Sequence, residues 1–167
     1  MGHTFQEKYM EQLRQNAEKL RDHAMPEVTE ELFSLFETTG NRLKYEEVYF
    51  TRRKFLAVFG MAAYIWKRKD DVVKLTEVLE EICSEECWAL PAHVNRTEEK
   101  DWQITVDLFA AETAQALSEI LGRVNMSLPE ENKIPAQLCA RVESEIERRV
   151  LVPFFSSELC ILAWAFA

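Results

Sequence analysis

Glycine and proline are scarce in this chain: four Gly and five Pro punctuate 167 residues. Tight turns depend on glycine for positive φ and on proline for a preset φ, so a fold of many short strands is not expected. Positive charge is short as well. Twenty Lys and Arg face 29 Asp and Glu, a formal charge of −9 that repels phosphate backbones, and nucleic acid is not expected as a partner. The basic runs Arg52-Arg53-Lys54 and Lys67-Arg68-Lys69 lie at two ends of one helical pattern and read as solvated surface.

Cysteine supplies no framework. Residues 83, 87, 139 and 160 form no CxxC pair, and Cys83-x-x-x-Cys87 has no His or Cys partner at zinc-finger spacing, so reduced thiols in a cytoplasmic protein are expected, with no metal and no cofactor. No apolar leader follows Met1, and Gln6 stands where a myristoylation signal prefers Ser or Thr. The apolar run Leu159–Ala167 is far shorter than the ~20 residues that cross a bilayer, so no membrane span is expected. There is no GxSxG, no HExxH, no glycine-rich phosphate loop and no carboxylate pair in a loop.

What remains is a helical chain. Hydrophobic residues make up 47% and charged residues 29%, enough for one core in one domain over residues 1–167. Phe5, Tyr9, Leu13, Ala17, Leu20 and Ala24 recur at helical spacing up to Pro26. A short helix from about Glu27 to Thr38, stopped by Gly40, is expected to lie against the first. Lys44 to Arg68 is apolar on nearly every face, and Gly60 with Ala62-Ala63 permits close approach of a neighbour. Asp70-Asp71 read as the N-cap of the next helix, whose stripe is Val72, Leu75, Val78, Leu79 and Ile82.

Residues 87–101 lose the periodicity and read as a long loop. A second hairpin follows, with Leu108, Ala111, Leu117, Ile120, Leu121 and Val124 on one helix; Pro135 opens another that carries Leu138, Val142, Ile146 and Val150. The fold class is all-α: antiparallel helical hairpins stacked as a solenoid or as part of an incomplete α/α toroid. Residues 154–167 read as an apolar C-terminal tail, a truncated helix or a surface for self-association.

The loop gathers Trp88, Pro91 and His93, and an indole face with an imidazole is a set that lines sugar sites, although a Trp between helix pairs is commonly a packing plug. Asp107 sits at a helix start, where the helix dipole favours it whatever its role, and Glu112 and Thr113 follow on the same helix. Glu145 can pair with Arg148 or Arg149 as an ordinary surface network, and an Arg aimed at a carboxylate substrate is the sharper alternative.

Trp88-Ala-Leu-Pro-Ala-His93, then Asp107-Leu-Phe-Ala-Ala-Glu-Thr113, then Glu145-Ile-Glu-Arg-Arg149 with Pro153, resembles an ordered set in the heparinase II/III-like and oligo-alginate lyases. Tyr49-Phe50-Thr51-Arg52-Arg53 is similar too, so the resemblance spans roughly residues 45–154. It implies the N-terminal part of an α/α toroid that precedes β-sheet domains, and β-elimination at uronic-acid linkages, with an acidic oligosaccharide or polysaccharide as partner. That chemistry needs a carboxylate neutraliser, a base for the C5 proton and an acid for the leaving oxygen. The family's Asn/Trp segment and catalytic Tyr and His lie further along the toroid, and Phe154–Glu158 does not continue its pattern. The resemblance therefore implies a substrate-binding role for Trp88 and His93, with Glu112 and Arg148 as further candidates, no assignable catalytic residue and no activity by the chain alone. The rival expectation is a helical interaction module without catalysis.

Overall fold

A computed structural model describes residues 4–156. Seven α-helices run in order: α1 Phe5–Arg21, α2 Glu30–Thr39, α3 Leu43–Trp66, α4 Lys69–Cys83, α5 Leu108–Glu119, α6 Ala136–Ile146 and α7 Val152–Ser156. Wide π-type turns, Ile120–Asn125 and Glu147–Leu151, prolong α5 and α6, and no strand occurs among the described residues. The fold is all-α. The apolar tail beyond Ser156 lies outside the described residues.

Local chemistry sets the helix ends. Thr4 caps α1, its hydroxyl accepting from the Glu7 amide while the Glu7 carboxylate accepts from the Thr4 amide. The helix stops at Arg21, short of Ala24. Thr29 caps α2, which therefore starts later than Glu27, and Gly40 closes it at φ 71°, a conformation costly for residues with a Cβ. Against expectation, α2 packs chiefly on α3 and on the short turn Pro91–His93 rather than on α1.

Hairpins α3–α4 and α5–α6 stack side by side: α3 packs on α5 and its prolongation, and α4 packs on α6. The close approach expected at Gly60 is present, because a Cβ there would lie 3.3 Å from Cγ1 and Cδ1 of Ile120. The main core joins Phe55, Leu56, Phe59, Leu75, Leu79, Ile82, Trp88, Leu117 and Val142. A smaller one gathers Phe33, Tyr45, Tyr49, Cys87, Ala89, Leu90 and Trp102 under α2.

Several charged residues go inward. Helix α4 begins one residue before Asp70, with no side-chain cap at Arg68; Asp71 is instead fully buried and ion-paired to Arg21 of α1. Asp70-Asp71 thus lie in the first turn, where they favour the dipole without capping. Of the basic run at 52–54, Lys54 is exposed as expected, but Arg52 and Arg53 turn away from solvent. Arg52 and Glu85 are both buried, and Arg53 is mostly so. Arg52 Nε donates to Glu85 Oε1, while Nη1 and Nη2 of Arg53 donate to Glu85 Oε1 and Oε2 at 2.8 and 2.7 Å. Arg52 also donates to the carbonyls of Pro26 and Glu81, and Arg53 Nε donates to Thr113. Burial opposes the charge on Arg53, but the Glu85 carboxylate outweighs it and raises its pKa.

Removing one member of such a cluster strands the others without water, a loss worth about 3–5 kcal/mol. Glu85→Ala is expected to lose stability on that scale in urea unfolding. Gly60→Leu, which drives a side chain into Ile120, is expected to lose about 1–3 kcal/mol by the same measurement.

Candidate functional site

The stretch from Cys87 to Pro91 has no helical period, yet every side chain in it is buried. It is a plug between the hairpins. Trp88 is 1% exposed, its Nε1 donates to the Ile82 carbonyl at 3.0 Å, and the Arg149 guanidinium lies 5.1 Å from its ring centre. A sugar-stacking indole needs an open face, and Trp88 has none; burial of an apolar ring beneath Arg149 places it in the core instead. Cys83 and Cys87, which precede it in the chain, are free thiols, and burial pushes both pKa values up to about 11, which keeps them protonated.

The chain then reaches the surface at His93. Asp107 is the N-cap of α5: its Oδ1 accepts from the Ala110 amide at 2.7 Å, and its Oδ2 accepts from the Leu90 amide at 3.1 Å. The same Oδ2 lies 2.7 Å from Nδ1 of His93. Asp107 is thus a cap, as its place at a helix start predicts, and also the anchor of the loop. The His93 ring stacks on Phe109 at 6.0 Å, and Phe109 meets the exposed ring of Phe50 at 5.6 Å. Glu112, exposed, follows Phe109 by one helical turn.

From this corner a groove of about 530 Å³ runs between α3 and α5, with Ala57, Met61 and Tyr64 on one side and Ala116 on the other. Phe50, Phe109 and Glu112 line it as well. Tyr49 lies beneath Phe50 and Phe109, and its hydroxyl is buried, donating to the Trp88 carbonyl at 2.9 Å. Burial raises its pKa, so it is no source of a proton for a ligand.

Of the four expected binding residues, His93 stacks on Phe109, Glu112 lines the groove one turn further along α5, Trp88 is behind them in the core, and Arg148 is elsewhere. Arg148 is half exposed and donates to Glu145 at 2.7 Å, the ordinary pairing. Arg149, expected in the same surface network, is instead buried. It reaches the carbonyls of Glu85 and Glu86 at 2.6 and 2.9 Å as well as Glu145. Burial acts against the Glu145 charge, but Arg149 and Arg148 prevail and hold its carboxyl below the usual range.

Sequence reasoning missed the exposed ring of Phe50 against the half-buried ring of Phe109, and missed the pairing of His93 with Asp107. Their signal was present only as an N-cap position and a lone histidine fourteen residues apart. Among the described residues no group of His, Cys, Asp and Glu is placed to hold a metal, and no helix is long and apolar enough to cross a membrane. Comparison with models of known protein families gives no match, and comparison with curated proteins gives none either.

With its ring enclosed, Trp88 contributes to folding. Trp88→Ala is expected to lose about 3–5 kcal/mol of stability. Arg148→Ala, at a half-exposed ion pair, is expected to change it by no more than about 1 kcal/mol. Urea denaturation of the two variants side by side checks both.

Proposed function

We propose that this chain is the N-terminal hairpin portion of a heparinase II/III-like toroid, and that it holds a uronate-containing oligosaccharide at the corner formed by Phe50, Phe109, His93 and Glu112. One observation carries the reading: the four segments that resemble the family converge and are bonded to one another. Tyr49 donates to the Trp88 carbonyl, and Arg53 donates to Thr113. The Leu90 amide and His93 meet Asp107, and Arg149 lies over Trp88 and bonds the chain just before it.

What this wiring leaves at the surface is the exposed Phe50 ring against a half-buried Phe109, with the His93 imidazole and the Glu112 carboxylate nearby on the same corner. Aromatic faces pack on the C–H groups of a pyranose, and the polar edges meet its hydroxyls. Elimination would need an acid as well as a base, and the tyrosine under this corner has its hydroxyl buried and engaged. The role is therefore to bind and position, without cleavage by these residues alone. Free thiols at Cys83, Cys87 and Cys139 suit a cytoplasmic location, which is part of the reading.

A second reading is favoured by the apolar lining of the groove beyond the corner. It makes the chain a helical interaction module, with the α3/α5 groove taking a partner helix.

Calorimetric titration of the full chain with oligouronates separates the two. Binding heat is expected with the wild type, and Phe50→Ala and His93→Ala are each expected to weaken affinity about tenfold, equivalent to ~1.4 kcal/mol. Absence of heat with the wild-type chain would overturn the saccharide reading and leave the interaction module standing.

A further inference from the structure

Asp107 does more than cap a helix: its carboxylate decides which nitrogen of His93 carries the proton. A carboxylate has only acceptor positions, so the 2.7 Å contact between its Oδ2 and Nδ1 makes Nδ1 the donor. The carboxylate cannot turn to escape this pairing. Its two oxygens are pinned by the Ala110 and Leu90 amides, and the Asp107 side chain is only 8% exposed. Nor does the imidazole swing freely, because it stacks nearly parallel on Phe109, with 20° between the planes.

In the neutral ring the lone pair then sits on Nε2, across the imidazole from Asp107, on a side chain 43% exposed. From these contacts we propose that His93 and Asp107 form a fixed-tautomer acceptor that takes a hydroxyl of the ligand at Nε2 and disfavours its carboxylate. The inference rests on the saccharide reading of this corner and narrows it. A sugar hydroxyl can donate into the Nε2 lone pair, whereas a uronate oxygen would set lone pair against lone pair. The negative charge of Asp107, 2.7 Å from the far side of the same ring, adds to that repulsion. The uronate carboxylate of a bound oligosaccharide consequently points away from His93, and the corner reads the hydroxyl edge of the ring. Asp107 is here a positioning residue, acting through the imidazole.

The full chain, labelled with ¹⁵N-histidine and held at mildly alkaline pH, tests this by NMR, with His93 assigned from the spectrum of His93→Gln. The expected spectrum shows Nδ1–H and an unprotonated Nε2. Titration with an oligouronate and with its carboxyl-reduced, neutral counterpart is expected to move the Nε2 resonance in both cases, with comparable affinity. Asp107→Asn keeps a residue that caps helices well but turns an amide NH₂ toward Nδ1. It is expected to shift the proton to Nε2 and to weaken the neutral sugar about tenfold, while the oligouronate loses less because an Nε2–H can donate to its carboxylate.

An Nε2–H tautomer in the wild type overturns the inference and leaves the saccharide reading intact. So does a resonance moved by the oligouronate alone. If the tautomer is Nδ1–H and neither sugar binds, the saccharide reading fails and this ligand assignment fails with it.

Discussion

Glu85 lies just past the end of α4 with almost no access to water, and two guanidiniums from consecutive residues of α3 close on it. An ion buried this deeply survives only when its charge and its remaining hydrogen-bonding capacity are both met. Meeting them draws in the rest of the molecule. Arg52 reaches the α1–α2 linker and the end of α4, Arg53 reaches Thr113 on α5, and Arg149 from the far hairpin takes the Glu85 carbonyl. One carboxylate thereby fixes the first hairpin, the second hairpin and the plug between them in a single arrangement.

The surface corner is a consequence of that arrangement. Because Tyr49 and Thr113 are held beside Arg53, α5 begins where Asp107 can meet the Leu90 amide. His93 is then delivered onto Phe109 rather than left at the tip of a free loop. The second half of the loop is pinned separately. Arg96 pairs with Glu30 of α2 and lies 4.7 Å from the Trp102 ring centre, closing the smaller core. A segment without periodicity can therefore be as ordered as a helix when its side chains fill space between helices.

Legibility in the sequence followed from periodicity and from residues with one dominant conformational use. Helices α4 and α6 are visible as apolar stripes, α3 as a run apolar on nearly every face, Gly40 as a stop, Pro135 as a start and Gly60 as a close approach, because each depends on neighbours within a turn or on the glycine backbone itself. Helix α5 is legible as a helix, but Leu108 and Ala111 of its expected stripe are exposed and Ala110, Thr113 and Ala114 are buried instead. The site was less legible. Trp88 and His93 are five residues apart, and composition treats them alike, yet one is core and the other surface. Arg148 and Arg149 are adjacent, and only the second turns inward, in a π-type turn that a 3.6-residue period does not register.

By itself the sequence determined the class: a helical chain, poor in turn formers, whose amphipathic segments must pair to hide their stripes. It also determined which residue types were at hand for chemistry. Tertiary structure alone decided which of them meet. The burial of Asp71 and Glu85, the enclosure of Trp88 and the pairing of His93 with Asp107 all join residues through space. Whether a charge faces water or a partner depends on elements far away in the chain, and no local pattern of amino acids encodes that distance.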